Sequence, residues 1–309
     1  DVQHYDVSER TSLSEVKSVK VSFIGLGIMG APMARHLHQA GYLYRVYNRT
    51  ASKTKPFEAL GVEAAQTPQE AAVDADVIIT MVSDSPDVEA VVLGEQGVIH
   101  GAKPGAIVVD MSSINPEVSK NIGAKLAEKG VEFLDAPVSG GEKGAIDGTL
   151  AIMLGGKEDV FQKVRPVLET MGSSIVHVGP LGAGGYAKLA NQIIVGLNIQ
   201  AMSEAFYLAK RAGLDFEKLY SAIRHGLAGS KVLDMKIDNL KKEQFQPGFK
   251  VALHLKDLNN ALYAAQSQGI SLSLTEEVQQ MMKDMTEKDM GDLDHSALYR
   301  YISAKGGND

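Results

Sequence analysis

Between residues 20 and 180 the chain alternates short apolar runs with longer stretches of mixed character. Apolar runs occupy 21–24, 43–47, 77–82, 106–109 and 131–134, with helix-like patterns between most of them, and two β-rich runs follow at 150–154 and 175–178. Short continuous apolar runs read as strands buried on both faces, and their alternation with helices predicts a doubly wound α/β sheet. After Gly-Pro-Leu-Gly-Ala-Gly-Gly at 179–185 the pattern becomes purely helical. Residues 186–212 read as one helix, about 40 Å long. It is apolar on most sides and so is expected to be buried against both parts of the molecule. Shorter helical patterns follow at 215–223, 253–268 and 275–288. Three segments result: a loose polar extension at 1–19, a sheet domain at 20–180, and an all-α domain at 181–309. The long helix joins the two domains, with a cleft near 179–190.

The first apolar run leads into Gly25-Leu-Gly27-Ile28-Met29-Gly30, and a helix-like run follows at once. The physical reading is a buried strand, a tight turn and an exposed helix N-terminus whose N–H groups suit a phosphate. Gly25 permits the turn, Gly27 lets backbone approach a pyrophosphate, and Gly30 lets helix and strand pack closely. With a second strand at 43–47, the pattern is that of a Rossmann-type dinucleotide fold. A merely structural glycine turn is the alternative.

Composition narrows the partners. The 309 residues are 44% hydrophobic, which supports a packed core, and the net charge of −7 with no basic run argues against nucleic acid. With no cysteine there is no disulfide framework and no thiolate nucleophile. No apolar stretch is long enough and free enough of polar groups to span a membrane. Residues 1–18 lack the apolar core of a signal peptide, so a cytoplasmic location is expected. The histidines share no ligand spacing, and no metal is expected.

Several residues can carry chemistry. Asn48-Arg49-Thr50 follows the second strand where a carboxylate would hold the adenosine ribose. A guanidinium there can hold a 2′-phosphate, which favours NADP over NAD. Otherwise Arg49 stacks on adenine or faces solvent. Val82, the last residue of the third run, and Ser83 after it are expected at the same crevice. Ser113 is expected near the nicotinamide ribose, while Ser113 or Asn115 can cap the helix starting at Pro116. Ser139-Gly140-Gly141 offers a hydroxyl and unshielded N–H groups, a cradle for a carboxylate or a plain loop. Lys188 lies near the start of the long helix, with Asn191 and Gln192 at i+3 and i+4. At a domain cleft, desolvation would lower its pKa and let it exchange a proton; the alternative is a surface lysine. Lys256-Asp257 is either a surface pair or part of a helix that caps the cofactor.

Four motifs occur in order: Gly25-Leu-Gly-Ile-Met-Gly30, Asp135-Ala-Pro-Val-Ser-Gly-Gly141, Gly182-Ala-Gly-Gly-Tyr-Ala-Lys188-Leu-Ala-Asn191-Gln192 and Lys256-Asp257. Together they resemble the β-hydroxyacid dehydrogenases from about residue 20 onward. The resemblance implies that Lys188 is the catalytic lysine and that Asn191 or Gln192 holds the substrate. It makes Ser139, Gly140 and Gly141 the substrate-anchoring loop, and Ser113 and Lys256 cofactor contacts. Ala190-Asn-Gln-Ile-Ile-Val, Gly226-Leu-Ala-Gly-Ser230 and Asp294-His-Ser-Ala297 look nearest to the branch that reduces tartronate semialdehyde to glycerate. Oxidation of 3-hydroxyisobutyrate or 4-hydroxybutyrate shares every motif, and a non-catalytic dinucleotide sensor is the reading from another class. Members that use NAD often carry Asp where this chain has Asn48. The family further implies a homo-oligomer, dimer or tetramer. Leu258, Leu262, Ala265, Val278, Met281, Met282 and Met285 are expected to supply apolar faces for it.

Overall fold

The computed structural model describes residues 18–306, so nearly all of the extension at 1–19 lies outside the described residues. Nine strands form one sheet: β1 (Val21–Ile24), β2 (Leu43–Tyr47), β3 (Glu63–Ala64), β4 (Val77–Thr80), β5 (Ile107–Asp110), β6 (Glu132–Asp135), β7 (Val138–Ser139), β8 (Leu150–Gly155) and β9 (Gly172–Gly179). Their order is β3-β2-β1-β4-β5-β6-β8-β7, with β9 paired to β8. The first six are parallel and follow the Rossmann order 3-2-1-4-5-6. β8 runs antiparallel to β6 and β7 and carries β9 parallel beside it.

The continuous apolar runs have a direct explanation. On β5, Ile107 and Val109 enter one core and Val108 the other; on β4, Val77 and Ile79 oppose Ile78 in the same way. Successive side chains point to opposite faces, and both faces are covered by helices, so nearly every position is apolar, with Thr80 and Asp110 only at the strand ends. All seven expected strands are present. The two-residue β3 and β7 were not expected, being too short to show a period. The run at 77–82 leaves the strand after Thr80, where Val82 N–H donates to Ser112 Oγ at 2.9 Å.

The C-terminal part is helical: Ala183–Arg211, Phe216–Ile223, Lys231–Lys242, Val251–Ser267, Ser273–Glu287 and Leu298–Lys305, with a 3-10 turn at His295–Ala297. Leu298–Lys305 was not anticipated, and neither was Lys231–Lys242. Ser230 caps it by accepting from Leu233 N–H, and it buries Leu233, Ile237 and Leu240.

Two expectations need correction. The long helix buries Leu189, Ile199, Met202 and Phe206, but Ile194 and Leu208 on its outer side are 61% and 71% exposed. It is therefore two-sided rather than enclosed. The apolar faces expected to pair with another subunit instead close on one another. Leu258, Ala265, Val278, Met282 and Met285 are buried within the chain, and Leu262 and Met281 are half-buried. The two helices that carry them pack on each other and on the long helix, and the second also meets the C-terminal helix. Among the described residues, no helix is long and apolar enough to cross a membrane.

Candidate active site

The glycine loop behaves as its spacing requires. Gly25 has φ +103°, and a Cβ there would collide with the Met81 carbonyl; one at Gly30 would strike the Gly25 carbonyl and crowd the Phe23 ring. At Gly27 nothing lies within 4 Å of the added atom, so the loop is open on that side. The helix Gly30–Gln39 starts behind Met29 without a side-chain cap and without an acidic residue in its first turn. Ile28 is exposed. An uncapped, acid-free N-terminus beside an open glycine fits a pyrophosphate.

Asn48 ties this loop down. Its Oδ1 accepts from Leu26 N–H at 2.8 Å and its Nδ2 donates to the Thr50 carbonyl at 3.0 Å. The amide is thus committed to scaffolding, and Arg49 and Thr50 beside it are exposed and face outward. At the helix that starts at Pro116, Asn115 is the cap, accepting from Glu117 N–H at 2.9 Å, and Ser113 is left free of that duty.

Ser113 instead takes part in a contact across the cleft. Lys256, on the helix Val251–Ser267, donates from Nζ to the Ser113 and Ser83 carbonyls at 2.8 and 3.1 Å. One turn on, Asn260 Nδ2 reaches Asp84 Oδ1 at 3.4 Å. The helix caps the crevice, and the reading of Lys256-Asp257 as a surface pair falls away.

Lys188 is buried, 8% exposed, in the first turns of the long helix. Burial lowers its pKa from the usual lysine range; Asp257 pulls it back up and Lys256 pushes it down. Asn191 Nδ2 donates to Gln192 Oε1 at 2.8 Å, and Gln192 Nε2 donates to Asp257 Oδ2 at 2.7 Å. The surface-lysine alternative is excluded.

A carboxylate outside the expected set fixes where this helix begins. Asp135, at the end of β6, accepts from Gly182 N–H at 2.8 Å and Gly185 N–H at 2.7 Å, satisfying orphan donors of the helix N-terminus. Burial raises its pKa, and those N–H groups oppose the rise. Beside it in register lies Asp110, fully buried, with its pKa raised by burial to about 6 against the bonds from Ser112 and Thr80.

Ser139 ends β7, which pairs with β8, and Gly140 and Gly141 follow with φ of +131° and +63°. Gly141 opens the helix Gly141–Asp147, which His36 anchors through the Ala145 and Ile146 carbonyls at 3.0 and 2.8 Å. Direct contacts link Asn191, Gln192, Asp257, Lys256, Ser83 and Ser113, with Lys188 beside them. Among the described residues no hydrogen bond joins Ser139–Gly141 to that group, to which β7 is connected only along the sheet, and Arg49 and Thr50 follow β2, on the other side of β1.

Missed in the sequence were Asp135, Asp257, and a buried pair of histidines, His254 and His295, whose Nδ1 atoms are 2.8 Å apart. Asp135 opens the motif that runs to Gly141 and Asp257 closes Lys256-Asp257, which was a usable signal. The histidines are 41 residues apart, and no local spacing connects them. Among the described residues no group of side chains could hold a metal.

Residues 20–179 match the NAD binding domain of 6-phosphogluconate dehydrogenase, and residues 182–302 match the NAD-binding region of NADP-dependent 3-hydroxyisobutyrate dehydrogenase. The chain belongs to the β-hydroxyacid dehydrogenase family. As such a dehydrogenase it is an NAD(P)-dependent oxidoreductase. It is 44% identical to 2-hydroxy-3-oxopropionate reductase of Escherichia coli (strain K12), over 92% of this chain and 97% of that protein. It is 35% identical to 2-(hydroxymethyl)glutarate dehydrogenase of Eubacterium barkeri, over 94% and 99%. Among solved structures, Mycobacterium tuberculosis 3-hydroxyisobutyrate dehydrogenase with L-serine superposes with a TM-score of 0.86 at 32% identity, covering 92% of this chain and 99% of that one.

Proposed function

We propose that this β-hydroxyacid dehydrogenase reduces a small carboxylate-bearing semialdehyde, tartronate semialdehyde to glycerate, and runs the reverse oxidation. The observation that carries the reading is Lys188: a buried lysine at the cleft, flanked by Asn191 and Gln192 and balanced by Asp257. A lysine whose pKa is lowered by burial can give a proton to a nascent alkoxide and take one from an alcohol near neutral pH. The nicotinamide cofactor, when bound, supplies the hydride. Lys188 delivers the proton to the carbonyl oxygen, and Asn191 holds that oxygen. Ser139 and the amides of Gly140 and Gly141 orient the substrate carboxylate, with Gln192 behind Asn191. The glycine loop and helix N-terminus hold the pyrophosphate, and Arg49 and Thr50 take a 2′-phosphate, which favours NADP. Asn48 supports this choice, since its amide is used up on Leu26 and Thr50.

The relative at 44% identity is named for tartronate semialdehyde under its systematic name, which supports that substrate. The neighbour at TM-score 0.86 supports the second reading, 3-hydroxyisobutyrate oxidation. A panel of semialdehydes and hydroxy acids, followed by nicotinamide absorbance with both cofactors, separates them. The expected result is the highest kcat/KM with tartronate semialdehyde and NADPH. Preference for a branched, methyl-bearing substrate overturns it.

The protein is further proposed to be a homo-oligomer. Support comes from the outer face of the long helix, where Ala190, Ile194, Ala201, Ala205 and Leu208 form an exposed stripe spaced by four, seven, four and three residues. A single helix stripe can pair with its own copy about a two-fold axis. Sedimentation at micromolar concentration should show a species heavier than the 33.0 kDa chain, and a lone 33.0 kDa species removes the claim.

A further inference from the structure

Two side chains, Gln192 from the long helix and Lys256 from its own helix, meet the buried carboxylate of Asp257. Asp257 is 2% exposed. Its Oδ2 accepts from Gln192 at 2.7 Å, and its Oδ1 lies 3.0 Å from Lys256 Nζ. Lys256 continues to the Ser83 and Ser113 carbonyls, on the loops after β4 and β5.

A carboxylate can only accept hydrogen bonds, so it decides which way its neighbours face. Gln192 must present its NH2 to Asp257, which leaves Oε1 to accept from Asn191. Asn191 must therefore turn its own NH2 toward Gln192, leaving Oδ1 and one N–H uncommitted beside Lys188. The histidine pair supports the same position from below. His254 Nε2 lies 2.9 Å from the Gln192 carbonyl oxygen, an acceptor, so that nitrogen carries the hydrogen. Burial lowers the pKa of both histidines and keeps them neutral. His254 Nδ1 is then the acceptor, and His295 Nδ1–H donates to it.

We propose that Asp257 is the positioning residue of this site, orienting the Gln192–Asn191 amide pair, anchoring Lys256 across the cleft and balancing the charge beside Lys188. The assignment rests on Lys188 as the proton donor. Two charged groups act on Lys188, both on the helix Val251–Ser267: Asp257, which favours its protonated form, and Lys256, which opposes it. The same helix presents neutral His254, and Lys236 acts on the histidine pair from the helix Lys231–Lys242. The residues of its own helix nearest in register, Asn191 and Gln192, carry no charge.

The opposite signs make the test. In Asp257→Asn the shape is kept and the charge is lost, so the high-pH fall of carbonyl reduction should move down by about one pH unit or more, the usual effect of one close charge. In Lys256→Met it should move up. A purely structural Asp257 predicts a lower melting temperature with the fall unmoved, and that result overturns the proposal. Movement of both variants in the same direction overturns it as well. Should Asp257→Asn fail to fold, the upward movement in Lys256→Met still decides. Lys188→Ala, run alongside, separates the two levels. If it keeps parental turnover, the reading of Lys188 itself fails. If it is inactive while the other two variants keep the parental profile, only the role of Asp257 fails.

Discussion

The two ends of the crevice are built from different materials. At the glycine loop the ligand-facing surface is backbone: an open turn, an uncapped helix N-terminus, and an asparagine that pins the loop from behind. At Lys188 the surface is a set of side chains, buried and mutually oriented, from helices that meet only in the fold. The first kind of site needs particular residues for geometric reasons, and short spacing reveals them. The second needs charge balance among residues that are far apart in sequence, where removing one member changes what the others can do.

The largest effect that sharpens this contrast is expected from Lys188→Ala. Turnover should fall by about 10² or more, the scale of general acid–base catalysis, while NADPH binding measured by fluorescence titration stays near parental. Loss of cofactor affinity in parallel with turnover would break the separation between the two ends.

At the other end, Arg49→Ala should raise KM for NADPH more than tenfold and leave KM for NADH nearly unchanged. One charge-assisted phosphate contact is worth about 1.5–3 kcal/mol. An equal rise for both cofactors would assign Arg49 to adenine packing.

The smallest effect concerns Asp110, a buried charge on the sheet side of the crevice, whose Oδ2 has no hydrogen-bond partner. Its folded pKa of about 6 lies above the ordinary aspartate value of 3.8, so the folded chain binds more protons than the unfolded chain between those values. Stability from this group is present below about pH 4 and is lost as pH rises toward about 6. Asp110→Asn should therefore be more stable than the parent at pH 7, by roughly 1–3 kcal/mol at about 1.4 kcal/mol per pKa unit. The advantage should vanish near pH 4. Denaturant melts at the two pH values check it, and an advantage that persists at pH 4 would contradict the assignment.

The same contrast explains what could be read from the sequence. Strands β1, β4 and β5 were legible because burial on both faces makes them nearly continuous apolar runs, and β2 and β6 because Arg45 and Glu132 interrupt theirs only once. The glycine loop was legible because its three glycines fall within six residues, Gly25 required by its positive φ and Gly30 by the Gly25 carbonyl against it. Lys188, Asn191 and Gln192 were found together because they share one helix face. Asp257 stands in a recognisable motif, but its role arises only in the fold, because nothing local places residue 257 against residue 192. The His254–His295 pair, formed between the helix Val251–Ser267 and the turn at His295–Ala297, was invisible for the same reason. The expected oligomer faces failed in the opposite sense. Their apolar periodicity was real, but periodicity does not say whether a partner helix lies in the same chain.

The central claim is that Lys188 exchanges the proton, and its most direct test is the pH dependence of both reaction directions in the unmodified protein. Reduction needs the charged lysine and oxidation the neutral one. With the pKa lowered by burial, reduction should fall and oxidation should rise over one shared pH interval below the ordinary lysine range. Two profiles that rise and fall together, or that show no transition below that range, would contradict the account.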